Sequence, residues 1–263
     1  MKILVCIKQV PDTAEVKLDP KTGTLIRDGV PSIINHDDKA GLEAALKLRD
    51  EVGGTVSVVC MGPPQADVAL REALAMGADE AYLLSAREFG GSDTYATATI
   101  IATALKKIGY DLVITGRQAI DGDTAQVGPQ IAEKLGLPQV SYAADIQKDG
   151  DTLTVKRMLE DGYMTIKVKT PCLITCIKEL NQPRYMSVGG IFECYEKPYE
   201  VFDYNTLKDD PLIDPTTIGL KGSPTNIFKS FTPPQKGAGM MLEGADKATC
   251  EKLAGILAAK HII

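Results

Sequence analysis

Residues 116–129 read GRQAIDGDTAQVGP. The apolar run Leu112-Val113-Ile114 leads into this stretch, and a helical pattern follows it from about residue 125 to residue 135. The order predicts a buried strand, a glycine-bearing loop and the start of a helix. We therefore take this stretch as the centre of the fold and of a candidate ligand site.

The loop has the features of a phosphate site. Gly116 and Gly122 permit a tight turn and a close approach of a ligand to the main chain, and Asp123 or Thr124 is placed to cap the helix. The first amides of a helix lack internal partners and attract anions. Two carboxylates, Asp121 and Asp123, indicate that backbone N–H groups hold any phosphate while the carboxylates turn away. An ordinary capped turn explains the spacing equally well.

Strand-like and helical patterns alternate on both sides of this loop. A parallel sheet covered on both faces is the usual result of such alternation. The prediction is a Rossmann-like α/β fold, open and mostly parallel, with an added antiparallel segment. Strands of the main sheet are expected at residues 2–8, 55–60, 80–85, 112–115 and 171–178. Helices are expected at about 37–51, 93–108 and 125–135, with a further helix that follows residue 64 and ends at about 76. The antiparallel strands are expected at 140–146, 152–157 and 163–169.

The C-terminal part differs in character. From about residue 198 to 244 the periodicity is lost, while isolated apolar residues such as Phe202, Ile213, Ile227 and Phe231 remain. Disorder is one interpretation, and an extended arm laid across a second polypeptide is the other, since disordered tails tend to lack aromatic residues. We divide the chain into a nucleotide-binding domain, residues 1–197, and a C-terminal arm, residues 198–263, that ends in a helix at about 246–260.

Composition excludes several classes of protein. The net charge is −6 and the basic residues are dispersed, which argues against nucleic-acid binding. No apolar run approaches the roughly 20 residues of a membrane span, and the first apolar run is too short for a signal peptide. Six cysteines include no C-x-x-C pair, so neither a metal site nor a disulfide framework is expected. We predict a cytoplasmic protein.

Familiar catalytic patterns are also missing from the sequence. There is no G-x-G-x-x-G after the first strand, no P-loop and no G-x-S-x-G elbow. No residue is singled out as a nucleophile or general base, so no catalytic residue is predicted. A nucleotide site without catalytic side chains suggests that a cofactor carries the chemistry.

Several segments resemble the β subunit of electron transfer flavoprotein. They are VCIKQVPDT, IINHDDKAGLEAAL, VVCMGPPQ, ALAMGADEAYLL, GRQAIDGDTAQVGPQIAEKLG, VKRMLEDG and ELNQPRYMSVGGI. The resemblance implies an α/β nucleotide-binding domain that pairs with an α subunit, around which the arm wraps. It also implies electron exchange with a flavin-containing dehydrogenase, acting on acyl-CoA or another substrate.

The resemblance further implies the residues of an adenine nucleotide site. Cys6 and Met61 are suited to pack against adenine, Asn35 to bind ring or ribose atoms, and Arg117 to supply charge. The Cys6 and Met61 side chains are otherwise plain core residues. The implied cofactor-binding residues are Cys6, Asn35, His36, Asp37, Asp38, Met61, Gly116, Arg117, Gln118, Ala119, Ile120, Asp121, Gly122, Asp123, Thr124, Ala125, Gln126 and Val127.

Two departures from the common family pattern refine the expected function. The loop reads G-D-T-A-Q-V at residues 122–127, which resembles members that hold a complete FAD and oxidise NADH, splitting its electrons between two acceptors. Other members hold AMP at this place. The lysine-rich dehydrogenase-docking run of the family is replaced here after Tyr185. A stand-alone adenine-nucleotide-binding regulatory module and a single-chain NAD-dependent dehydrogenase are the alternatives outside the family.

Overall fold

The computed structural model describes residues 1–12, 17–18, 25–26, 31–225, 228 and 237–263. They form two compact units, residues 1–226 and 227–263. The strands of the described residues are β1 Lys2–Ile7, β2 Gln9–Pro11, β3 Lys17–Leu18, β4 Leu25–Ile26, β5 Ser32–Ile34, β6 Thr55–Met61, β7 Glu80–Leu84, β8 Leu112–Gly116, β9 Gln139–Asp149, β10 Thr152–Met158, β11 Tyr163–Lys169, β12 Cys172–Cys176 and β13 Tyr199–Phe202. The α-helices are α1 His36–Val52, α2 Asp67–Met76, α3 Thr94–Ile108, α4 Val127–Leu135, α5 Val188–Glu193, α6 Tyr204–Leu207 and α7 Lys247–Ala259.

A nine-stranded sheet organises the first unit, in the order β11-β10-β9-β12-β8-β1-β6-β7-β13. Strands β12, β8, β1, β6, β7 and β13 are mutually parallel, while β9, β10 and β11 form an antiparallel meander at one edge. The predicted mostly parallel α/β fold with an added antiparallel segment is therefore confirmed.

Alternate side chains of β1 enter two separate cores. Ile3 and Val5 pack with the α1 and α2 residues on one face, whereas Leu4 packs with α3 and α4 on the other. Because both faces are covered, the central strands are mostly apolar on both faces, with buried Ser57, Thr115 and Thr175 as exceptions. Cys172 and Cys176 both lie in the first of these cores and act as small apolar side chains.

The chain reverses its direction of winding at β1. It leaves β1 through α1 to β6 and through α2 to β7, and then α3 crosses back to β8 on the other side of β1. The carboxyl ends of β1 and β8 thus flank a topological switch point, where open α/β sheets leave a crevice for ligands.

Part of the predicted arm folds with the first unit. β13 extends the sheet beyond β7, and Phe202 and Ile213 are 5% and 6% exposed in the core beside α3. These two residues therefore pack inside the first unit: Phe202 is the last residue of β13, and Ile213 follows α6. Ile227 and Phe231 lie outside the described residues. In the second unit, α7 buries none of its residues. The division of the chain at residue 197 and the wrapping of a partner by residues 198–263 stay predictions.

The N-cap residues of α1 and α4 are Asn35 and Gln126, so the cap predicted at Asp123 or Thr124 was wrong. Asn35 occupies the N-cap position of α1, with Asp37 and Asp38 inside its first turn. Gln126 occupies the N-cap position of α4 and gives no side-chain cap, so neither Asp123 nor Thr124 closes that helix. Among the described residues, no helix has the length and apolar character that a membrane crossing requires.

Candidate functional site

A cavity of about 960 Å³ lies over the carboxyl ends of β8, β1, β6 and β7. This volume is at the upper end of the range of about 300–1,000 Å³ that is common for ligand sites. One end of the cavity is formed by the loop between β8 and α4. The other end is a wall formed by residues 84–97 after β7, which we call the β7 wall.

The structure brings most of the predicted site residues to this cavity. Those that line it are Cys6, Asp38, Met61, Gly116, Arg117, Gln118, Ala119, Gly122, Asp123, Thr124, Ala125, Gln126 and Val127. Asn35, His36, Asp37, Ile120 and Asp121 are not among the lining residues. His36 and Ile120 are exposed elsewhere, whereas Asn35, Asp37 and Asp121 support the loop from behind.

The three glycines of the loop have different roles. A Cβ on Gly116 would overlap the Asp38 carboxylate, and one on Gly128 would lie 2.6 Å from the Thr115 hydroxyl oxygen. These two glycines are therefore required by packing, and because Gly116 also lines the cavity, the ligand role predicted for it stays a prediction. A Cβ on Gly122 meets no atom within 4 Å, and its φ is not positive. The absence of a side chain at Gly122 is therefore not required by the fold and leaves the backbone accessible to a ligand.

The loop turns its backbone amides toward one place. The N–H groups of Gly122 and Asp123 both bond to the carbonyl of Ala119, at 3.1 and 2.8 Å. Ala125 has φ +52° and is followed by a right-handed Gln126, an alternation that makes successive N–H groups converge. Among the described residues, no acceptor is found for the N–H groups of residues 125–128. This end of the cavity can therefore bind an anion at an uncapped helix N-terminus.

Asn35 holds the loop in place from beneath. Its side chain is completely buried, and its Nδ2 donates to the carbonyl of Gln118 at 2.8 Å while its Oδ1 accepts the N–H of Ile120 at 3.2 Å. Both ends of the amide are thus used by the loop. Asn35 therefore positions the loop after β8, and its predicted contact with a ribose or a ring stays a prediction.

Two adjacent aspartates of α1 accept hydrogen bonds from the ends of three strands. Asp38 accepts the backbone N–H groups of Lys8, after β1, at 2.8 Å and of Gly116, in β8, at 2.9 Å. Asp37 accepts the N–H of Lys178, after β12, at 3.0 Å. Burial raises the pKa of Asp38 to about 7, although its hydrogen bonds act in the opposite direction. Burial is also the main cause of the raised pKa of Asp37, which the nearby Arg117 partly opposes.

The charges near the loop are mostly paired. Asp121 turns away from the cavity and forms an ion pair with Lys8 at 2.7 Å, as expected for a carboxylate beside a phosphate site. Arg117 lies 3.4 Å from Asp37 and stacks over the ring of Tyr142. Asp123, in contrast, lines the cavity and accepts a hydrogen bond from Gln118.

Cys6 and Met61 line the cavity between the loop and the β7 wall. Cys6 is 8% exposed, and burial raises the pKa of its thiol, so it remains a neutral and unreactive group. Met61 is half-buried beside it. Both are suited to pack against an uncharged ring rather than to react with one.

Sequence reasoning missed the β7 wall. Its residues follow a parallel strand and include Gly90-Gly91-Ser92 directly before Asp93, which caps α3 by accepting the N–H of Ala96 at 3.0 Å. A glycine-bearing loop between a strand and a capped helix is the same signal that identified the loop after β8. The two helix starts differ in one respect. The Asp93 carboxylate occupies the place at the N-terminus of α3 where an anion would bind, whereas no side chain caps α4.

Comparisons with known proteins agree with the resemblance of the sequence. Residues 22–201 match the family described as the electron transfer flavoprotein domain. The chain is 61% identical, over the full length of both proteins, to the acryloyl-CoA reductase electron transfer subunit gamma of Anaerotignum propionicum. It is 56% identical, again over both full lengths, to the caffeyl-CoA reductase-Etf complex subunit CarD of Acetobacterium woodii. It is 57% identical over both full lengths to the electron transfer flavoprotein subunit beta of Thermoanaerobacterium thermosaccharolyticum.

Proposed function

The chain belongs to the electron transfer flavoprotein family, with an electron-transfer function like that of its β subunits, and on this premise we propose that it binds a complete FAD. FAD would lie in the cavity with its phosphates at the loop after β8. The protein would work as a heterodimer with an α subunit. It would take electrons from NADH and divide them between two acceptors.

The length of the cavity is the observation that carries this proposal. The phosphate loop follows β8 and the β7 wall follows β7, with β1 and β6 between them. Three inter-strand spacings of about 4.8 Å separate the end of β8 from the end of β7 by about 14 Å, although the far part of the wall returns to the loop, where Thr94 donates to Gln126 at 3.0 Å. AMP held by the loop would leave the part of the wall next to the end of β7 without a ligand, whereas a dinucleotide reaches toward it.

Different residues of the cavity would contact different parts of FAD. The uncapped start of α4 and the open main chain at Gly122 would hold the phosphates. Cys6 and Met61 would pack against an uncharged ring and exclude water. When bound, FAD supplies the exchange of two electrons with a nicotinamide and of single electrons with other flavins. The protein would bind and orient FAD. The hydrogen bonds of Asn35 to the loop and of Asp38 to the end of β1 would hold the surrounding backbone in place.

Electron bifurcation is the version of this function that the loop sequence supports. Residues 122–127, GDTAQV, resemble the members that hold FAD rather than AMP. The relatives named as subunits of acryloyl-CoA and caffeyl-CoA reductases support a partner that reduces a CoA thioester. A β subunit with AMP in the same cavity and no bifurcation is the alternative within the family.

An exposed apolar segment is available for such a dehydrogenase partner. Tyr185, Val188 and Phe192 are exposed, and α5 contains no lysine. The segment is anchored on the domain by Arg184, which bonds to Glu43 of α1, and by Lys197, which donates to the carbonyls at the end of α2. We propose that the α subunit is held by the C-terminal arm and that the dehydrogenase contacts this anchored segment.

The cofactor content of the purified heterodimer tests the proposal. The chain should be co-expressed with its α subunit, isolated by size-exclusion chromatography and denatured to release its nucleotides. Two FAD molecules per heterodimer are expected, with direct bleaching of the flavin absorbance by NADH. One FAD with one AMP would contradict both FAD in this subunit and bifurcation, and would leave the electron-carrier function intact.

A further inference from the structure

Arg87 lies at the end of the cavity opposite the phosphate loop. It follows β7, begins the short 3₁₀ turn Arg87–Phe89 and lines the β7 wall with its side chain exposed. Among the described residues, its guanidinium has no ion pair and no hydrogen bond. An exposed cation at the edge of a cavity is accessible to a ligand that enters and leaves.

The other charged side chains that line the cavity each have a partner. The two cations are each paired with an aspartate, although Arg117 Nε makes no hydrogen bond to Asp37, and the three aspartates carry negative charge, so these residues offer little net attraction to a second anion. Lys8 pairs with Asp121, Arg117 with Asp37, Asp123 accepts from Gln118, Asp93 accepts from the start of α3, and Asp38 accepts from two strand ends. Arg87 therefore differs from the other lining residues in having an unused positive charge.

The wall that carries Arg87 is rigidly braced. The N–H of Leu220 bonds to the carbonyl of Gly90 at 3.1 Å, and the N–H of Asp93 bonds to the hydroxyl of Ser223 at 2.8 Å. Gly91 has φ +74° and packs against Leu220. The N–H of Gly90 also donates to the carbonyl of Arg87 at 3.2 Å, so the backbone of Arg87 is linked to this braced segment before any ligand binds.

The distance between the two ends separates two anionic groups. Phosphates at the loop lie about 14 Å, or three inter-strand spacings, from the strand end that carries Arg87. One phosphate group cannot satisfy both places. We propose that Arg87 binds the pyrophosphate of the nicotinamide dinucleotide substrate and thereby selects NADH over reduced nicotinamides without phosphate. This inference depends on the proposed function, because it assigns a residue to the substrate of the same site.

The test compares Arg87→Gln with a control, Glu88→Gln, in the purified αβ heterodimer. Glu88 is an exposed neighbour in the same turn and does not line the cavity. Arg87→Gln should raise the KM for NADH about tenfold, which corresponds to about 1.4 kcal/mol. The KM for reduced nicotinamide riboside, which lacks phosphate, should change less than about twofold. Titration calorimetry with NAD⁺ should show the same loss of affinity without turnover.

The possible outcomes separate this inference from the proposed function. Arg87→Gln with unchanged NADH kinetics and unchanged NAD⁺ affinity would overturn the inference alone. Equal losses for NADH and the riboside, or loss of FAD from the variant, would assign Arg87 to cavity shape or to the resident flavin and would also overturn it. A wild-type heterodimer that neither binds NAD⁺ nor accepts electrons from NADH would contradict the proposed function, and the inference with it.

Discussion

Replacement of Gly122 tests whether the phosphate loop binds its ligand through the backbone. A Cβ at this position meets no protein atom within 4 Å, and the backbone does not require a positive φ. Gly122→Ala should therefore leave the fold intact, and removing the flexibility of glycine from the unfolded chain can even stabilise it, by about 0.4–1 kcal/mol. The larger side chain of Gly122→Val would occupy the space through which a phosphate approaches the main chain.

The expected loss follows from the hydrogen bonds that would be prevented. A hydrogen bond to a charged group contributes about 1.5–3 kcal/mol, so the loss of one such bond predicts a weakening of at least about tenfold in Kd. Asp121→Asn should have a smaller effect, because the Asp121 carboxylate faces Lys8 and not the cavity. Its removal frees the Lys8 charge, which favours an anion.

Gly128→Ala provides the contrasting variant. Its Cβ would lie 2.6 Å from Thr115 Oγ1 and 2.8 Å from Thr175 Cγ2, and overpacking of this kind costs about 1–3 kcal/mol of stability. Melting temperatures measured by scanning fluorimetry and AMP affinity measured by calorimetry on the cofactor-depleted heterodimer separate the two effects. Normal AMP affinity in Gly122→Val, together with a large loss in Asp121→Asn, would refute the backbone cradle.

Two further predictions concern the frame around the site. Burial raises the pKa of Asp38 from 3.8 to about 7, so its contribution to stability is complete below about pH 4 and is lost as the pH rises through about 7. The free energy of unfolding of the wild type should therefore fall relative to that of Asp38→Asn between about pH 4 and 7, and an unchanged difference between the two proteins in urea denaturation across this range would disprove the assignment. Arg184→Met removes the partner of Glu43, whose side chain is 4% exposed and lies 2.9 Å from Arg184 Nε, and an unpaired buried carboxylate should cost about 3 kcal/mol. Arg184→Lys should restore little of it, because lysine lacks the planar fork; full recovery of the urea midpoint by lysine would contradict this explanation.

The sequence predicted the central strands and the loop between β8 and α4 well, because their signals are local. Continuous apolar runs identified β1, β6 and β8, and the glycine and helix pattern at residues 116–135 located the loop after β8. The carboxyl ends of β1 and β8 meet because parallel neighbours share an edge, so Cys6 and Gly116 could be placed together before the structure was known.

The remaining features depend on contacts between distant residues. Asp37 and Asp38 resemble helix caps in sequence, but their partners Lys178 and Gly116 are far along the chain. The β7 wall belongs to the site only because β6 and β7 lie on the same side of β1, and that order is not encoded by local periodicity. Phe202 is the last residue of β13, which pairs with the distant strand β7, and the sequence around Phe202 has no strand periodicity that would predict this pairing.

The number of FAD and AMP molecules released per αβ heterodimer tests the central claim most directly. The claim is that one cavity, extending from the loop at residues 116–128 to the β7 wall, holds a complete flavin dinucleotide. Quantitative chromatography of the denatured complex should give two FAD and no AMP. One FAD and one AMP per heterodimer would contradict the claim.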